Sequence, residues 1–462
     1  MFFSIAILGG LLVMMGQHDR SESLFYYFRL EDHVPENHLL RLIDRHVSLD
    51  FIREELRDSY SDTGRPSIDP EVLLRILLIG YLYGVTSERK LVEELRMHLA
   101  WRWFTGLGFD QEIPNHSTFS KNRHGRFQES NLFQELFERI VEQCVQAGLV
   151  NGQHMSVDGS FIPANANNES RIPREQLAEA AQVKRTVREY LTELEQENGD
   201  GEPVHQQERV STTDPDATYA SKGNAPAKLG YYDNYLVDNA SCVVVGVQAT
   251  AARLSQESAA ARDMIERYRE LHGELPQSLA ADNTYGNGEL LQWLDERGIT
   301  PYIRVKQSPT PKTDLFEIDR FTYVAEENCF ICPEGKRLKY AGVNELNRTH
   351  VYHSTLKRCR DCSQKTQCTR GKYRIVAVHT CEAARQRARE VAQTPAFKKS
   401  QRERRKVEAL FSELKNQVGL RRLRLRRMRF VREQFYLAAT VQNLKRLVRF
   451  LSFSPEPVSA AV

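Results

Sequence analysis

Net charge is what this chain has least of. Its 462 residues carry 64 Lys and Arg against 61 Asp and Glu, a formal charge of only +3. A uniformly cationic surface is excluded, so affinity for a polyanion has to come from local clustering. A membrane-length apolar run is missing as well. The stretch MFFSIAILGGLLVMM, residues 1–15, is shorter than the about 20 residues a helix needs to cross a bilayer. It has no basic leading segment and no small-residue cleavage pattern before Gly16, which argues against a secretion signal. It reads as a mis-called start, with Met14 or Met15 as the first residue, on a cytoplasmic, nucleoid-associated protein with no membrane partner. Cysteine is scarce outside one cluster. Cys144 and Cys242 sit in apolar runs, as buried thiols do; the other six of the eight lie between 329 and 381.

Charged residues make up 27% and aromatics 9%, an ordinary soluble composition, and the length allows two or three domains. Residues 16–150 repeat apolar positions every three to four residues, which predicts an all-α domain that contacts DNA. Asp69 before Pro70, Ser87 and Ser130 are candidate helix starts. Between the last two helices, Ser117, Thr118, Lys121, Arg123, His124 and Arg126 combine small hydroxyls with bases, a set that can seat a phosphate at a helix start.

An α/β core is predicted over 151–306, with a charged insertion at about 165–225. Met155 to Phe161 has β character, yet Asp158 sits inside it. An Asp is unfavourable in mid-strand and is explained if its carboxylate projects from a rigid element into a metal site. Two strands follow, turning at Asp238 and Asn239, then a helix from Gln256 to His272. Ser278 to Ala281 is a short strand ended by Asp282; a helix from Glu289 to Arg297 and a strand from Thr300 to Val305 come next. The end of a central strand is where α/β sheets place their chemistry. This order of elements is that of a ribonuclease-H-like fold. Asp282 also suits the simpler role of capping the next helix.

Residues 307–395 form a Cys-rich insertion. Cys329-x2-Cys332 and Cys359-x2-Cys362 are compatible with a zinc ribbon holding one structural Zn²⁺, with Cys368 or His353 as substitute ligands.

The last part of the core, 396–453, is the basic one. No Gly or Pro interrupts Ser400 to Val418, and Val407, Leu410, Phe411 and Leu414 fall at helical spacing. Steps of four and seven bring Arg404, Glu408 and Lys415 close to one face. Taken alone this is an amphipathic helix with ion pairs on its surface. Six arginines from Arg421 to Arg429 then precede a final amphipathic helix. The tail, 454–462, reads as disordered.

Arg404, Glu408 and Lys415 reproduce the R-x3-E-x6-K part of a signature found in insertion-sequence transposases. The full signature has Tyr three residues before the Arg, where this chain has Gln401. The chain resembles bacterial DDE transposases of the IS-four/IS-five-like group, in its long subgroup with a cysteine-bearing insertion. The resemblance makes Asp158, Asp282 and Glu408 the catalytic acids, with Tyr285 and Gly286 completing a D-x2-Y-G arrangement. It makes Asn443 to Arg446 a family-type N-L-K-R element. Three converging carboxylates suit two Mg²⁺ or Mn²⁺ ions, and Arg404 and Lys415 would contact DNA phosphates. The implied function is binding, cleaving and joining the ends of an insertion sequence, with DNA and a second copy of the chain as partners. The other reading is a decayed or repurposed DNA-binding protein without catalysis.

Overall fold

The computed structural model describes residues 27–60, 67–127, 130–198, 208–220, 226–252, 256–306 and 314–453. The apolar start and the tail lie outside them. No helix among the described residues is long and apolar enough to cross a membrane.

The regular elements among the described residues from 27 to 150 are all helical, as the periodicity over 16–150 predicts. Their longer elements include α1 (Pro70–Leu82) and α2 (Leu132–Gln146). Asp69 caps α1 by accepting from the Glu71 amide, and Ser87 caps the helix Glu88–Met97 through the Lys90 amide. Ser130 does not cap: its hydroxyl donates to the Phe127 carbonyl at 3.4 Å, and α2 begins two residues later.

The central sheet holds β1 (His154–Pro163), β2 (Lys228–Asp238), β3 (Val244–Ala251), β4 (Ser278–Ala280) and β5 (Thr300–Tyr302). Their spatial order is β3-β2-β1-β4-β5, and the short strand Thr218–Ala220 pairs with the start of β2. β2 runs antiparallel to β1, with Asp158 opposite Tyr235, and antiparallel to β3. β4 is parallel to β1, and β5 is parallel to β4. β2 and β3 are buried almost throughout, as a sheet covered on both faces requires. One cover is α3 (Glu257–His272): a Cβ on Gly246 would lie 3.1 Å from both Leu236 of β2 and Met264 of α3. α4 (Gly288–Glu296) bridges β4 and β5.

Residues 322–379 form a separate antiparallel sheet. Its strands are β6 (Thr322–Val324), β7 (Cys329–Ile331), β8 (Arg337–Asn344), β9 (Thr349–His353) and β10 (Ile375–His379), each paired with the next. Phe321, Phe330, Leu338, Tyr352 and Val376 give it a core of its own. α5 (Glu382–Val391) returns the chain to α4, where the Arg387 Nε donates to Asp295 at 2.6 Å.

Three helices close the molecule: α6 (Pro395–Glu403), α7 (Arg405–Asn416) and α8 (Met428–Phe453). The uninterrupted helix expected over 400–418 is split between α6 and α7, with Arg404 at the joint. α7 covers the opposite face of the sheet from α3, and Phe411 stacks on Tyr235 with ring centroids 4.9 Å apart. α8 is buried along most of its length and does not present the half-polar surface of an amphipathic helix. Its Asn443 side chain accepts from the Val244 amide at 2.9 Å and donates to the Val244 carbonyl at 2.7 Å. One hydrophobic core runs from Val34 through the sheet to Val448, so the helical N-terminal region and the sheet share an interior.

The charged insertion is ordered on either side of residues 199–207, which lie outside the described residues. Strand Arg171–Pro173 pairs with Arg209–Ser211, and Leu177, Val187 and Val210 form a small core under two helices.

Candidate active site

Asp158 sits in the middle of β1, 18% exposed at the side chain, its Oδ1 accepting from the Gly159 amide at 2.8 Å. Because β1 and β4 are parallel neighbours, their C-terminal ends bring Asp158 and Asp282 to the same edge. Asp282 does cap a turn, but a short 3-10 turn at Asn283–Tyr285 and not α4: its Oδ1 accepts from the Thr284 amide at 2.8 Å. The following Gly286 is compulsory. A Cβ there would fall 1.9 Å from the Arg304 carbonyl oxygen, on the segment that leaves β5. Tyr285 is buried beneath the site, and burial, then the charges of Asp158, Glu257 and Asp282, push its hydroxyl well above the usual range.

The joint between α6 and α7 supplies the rest. Arg404 donates to Asp158 Oδ2 at 2.9 Å and stands 3.6 Å from Glu408. Gln401, at the position of the missing Tyr, donates from its Nε2 to the carbonyls of Ala281 at 3.2 Å and Tyr302 at 2.6 Å. It thereby ties α6 to the ends of β4 and β5, directly before Asp282. Asp158, Asp282, Arg404, Glu408 and Lys415 all line one open cleft of ≈690 Å³.

All-carboxylate donors fit hard divalent cations. Among the described residues, however, no three His, Cys, Asp or Glu side chains are gathered closely enough to hold one ion. Arg404, expected to face a DNA phosphate, is instead the counter-ion between Asp158 and Glu408 in this conformation.

Two stretches of the chain are similar to known families. Residues 28–125 match a transposase domain (DUF772), and residues 331–448 match a transposase DDE domain. The chain carries transposase domains. The second match contains Glu408, Arg404 and Lys415; Asp158 and Asp282 lie upstream of it. No curated protein matches the chain. Among solved structures, the piggyBac transposase synaptic complex with hairpin DNA is 8% identical over 91% of this chain and 82% of that one, at a TM-score of 0.23.

Within the transposase DDE match, the basic residues have two fates. Arg427 is 4% exposed at the side chain; it donates to Asp216 at 2.8 Å and also pairs with Glu193. Arg422 and Arg426 donate to the carbonyls of Ala164 and Asn165, and Arg424 lies over the Tyr81 ring. In the other transposase domain, Arg123 is likewise interior: it is buried, 3.0 Å from Glu88 and 3.6 Å from Glu433. It therefore cannot belong to the expected phosphate seat. Arg126 is engaged by Ser67 and Asn122.

The four expected zinc ligands do not converge. Cys329 is buried in β7 with its thiol 3.8 Å from Glu327. Cys332 instead closes a tight turn, its sulfur accepting from the Lys336 amide at 3.3 Å. Lys336 in turn donates to the Arg358 carbonyl beside Cys359. Cys368 packs with Cys332 on the small core, and burial raises its thiol against the pull of Arg374, with Cys359, Cys332 and Cys362 raising it further. Among the described residues these thiols are not gathered in a group of three that could hold one ion.

Asp233 was not anticipated. It lies opposite Ser160 and so shares the sheet face of Asp158, fully buried. Burial pushes its carboxyl well above the ordinary range despite Tyr235 and the Lys415 cation. An Asp inside the run YYDNYLVD was the available signal.

Proposed function

We propose that this chain is a DDE transposase of the IS-four/IS-five-like group, with a ribonuclease-H-like core in which Asp158, Asp282 and Glu408 are the catalytic acids. The observation that carries the reading is the shared cleft: carboxylates from β1, from the end of β4 and from α7 line one opening. The strand order β3-β2-β1-β4-β5, antiparallel then parallel, supports the ribonuclease-H-like assignment. The two transposase-domain matches support the reaction class.

The substrate is DNA: the terminal repeats of an insertion sequence and a target duplex. In the first step a water oxygen attacks the phosphorus at the sequence end. The P–O3′ bond breaks, leaving a free 3′-OH and a 5′-phosphate. In the second, that 3′-oxygen attacks a target phosphorus and displaces the target's own 3′-oxygen. Asp158, Asp282 and Glu408 would hold the two Mg²⁺ or Mn²⁺ ions, which when bound stabilise charge on the attacking and leaving oxygens. Glu408, 61% exposed at the side chain, reaches the open cleft as one of these ligands, and the proton released by the nucleophile leaves to solvent water. Arg404 pairs with Asp158 until substrate arrives, and then, with Lys415, contacts a phosphate. Joining two ends calls for a second copy of the chain, on nucleoid DNA in the cytoplasm.

The Arg404 bridge between Asp158 and Glu408 favours a second reading, a DNA-binding protein without catalysis. Cleavage of a labelled duplex bearing the end decides between them, comparing wild type with Glu408→Gln in Mg²⁺ and in EDTA. The expected outcome is cutting and joined products by wild type in Mg²⁺ only. Undiminished cutting by Glu408→Gln would remove Glu408 from the site. Binding without cutting by wild type would leave the second reading standing.

A further inference from the structure

A second groove, of ≈400 Å³, adjoins the cleft and shares Asp282 and Arg404 with it. Besides Arg404, four cations line it: Arg304 beyond β5, Lys398 and Arg402 on α6, and Arg405 at the start of α7. All four are exposed. Among the described residues none of them has an acidic partner, whereas Arg53, Arg267, Arg387 and Arg427 do. Lys398 and Arg402 are also four apart on one helix, a like-charge spacing that works against the helix. Unneutralised charge of one sign around a groove raises the local concentration of the opposite sign.

We infer that this groove is a phosphate-backbone subsite that holds the DNA strand on the Asp282 side of the scissile phosphate. The inference rests on the DNA-cleaving reading above and deepens it by giving the strand a path. Two features argue for a polynucleotide strand and against a single small anion. The cations come from two stretches of chain distant in sequence, the segment beyond β5 and the joint between α6 and α7. The groove runs directly into the cleft through Asp282 and Arg404. Gln401 lines the same groove while it holds the ends of β4 and β5, so the cations are mounted on a braced frame.

The test is equilibrium binding of the full chain to a random-sequence duplex of about 30 base pairs across a salt series. Removing one cation from a phosphate should reduce the slope of log K against log salt by about 0.9. Arg402→Gln with Arg405→Gln should lower it by about 1.8, and Arg304→Gln by about 0.9. Lys372→Gln, at an exposed lysine in the insertion, should leave the slope unchanged. Thermal melting checks that each variant is folded. Slopes unaltered in both groove variants, or lowered equally by Lys372→Gln, would overturn the subsite. Neither result depends on cutting. Groove-dependent slopes without cleavage by wild type would keep the subsite and remove the catalytic reading; cleavage with unaltered slopes would do the reverse.

Discussion

Two halves of one basic run, residues 398–405 and 421–429, are equally rich in cations and have opposite fates. In the second half, Arg427 is enclosed by Asp216, Glu189 and Glu193, and Arg422, Arg424 and Arg426 reach carbonyls or an aromatic face. These side chains fasten the charged insertion and the N-terminal helices to the core. In the first half, Lys398, Arg402 and Arg405 stand exposed, without acidic partners among the described residues, beside the carboxylate cleft. Cationic density in a sequence therefore locates polyanion binding only after the paired charges are subtracted.

The strongest way to break this comparison is at Arg427. Replacing it with Met leaves Asp216 and Glu193 facing a buried, uncompensated position, which should cost about 3–5 kcal/mol, read as a fall in the denaturant midpoint. A loss below about 1 kcal/mol would mean that the pair is not structural.

A smaller effect of opposite sign is expected next to it. Asp214 accepts from the Tyr231 hydroxyl and the Arg427 amide, yet burial raises its carboxyl from 3.8 to about 6. Its native state binds the proton more tightly than the unfolded chain does, so stability falls as pH rises from about 4 to about 6 and the loss is complete above that. Asp214→Asn should therefore stabilise the protein at pH 7 by about 2 kcal/mol, with the advantage gone at pH 4. Melting temperatures at the two pH values check this; an equal difference at both would contradict it.

The smallest effect is expected in the first half. Arg402→Gln with Arg405→Gln should change stability by less than about 0.5 kcal/mol, since neither side chain has an acid to lose. A loss of about 2 kcal/mol would show that these cations are structural after all.

Much of the fold was legible in the sequence. The strand from Met155, the pair turning at Asp238, the helix ending at His272 and the short strand before Asp282 all appear close to their expected bounds. Apolar periodicity and Gly or Asn breaks are local signals, and they sufficed there. The spacing of Arg404, Glu408 and Lys415 was also legible, because a helix fixes which side chains share a face. What local pattern could not supply was the partner. Nothing in the sequence near Arg427 or Arg123 says that Asp216 or Glu433 comes to meet it. Pairing a CxxC by spacing likewise missed that Cys329 lies within a strand while Cys332 sits in the turn beyond. The split at Arg404 has no Gly or Pro to announce it; there the chain turns to bring a guanidinium onto Asp158.

β3 is an outer strand of the central sheet, and outer strands invite pairing by a neighbouring chain. At Val244 that invitation is withdrawn, because Asn443 already occupies both the amide and the carbonyl. A side chain of α8 acts as a one-residue stand-in for a further strand. Copies of this protein at high local concentration are thereby kept from zipping together at that end of the sheet, and their contacts are steered to other surfaces.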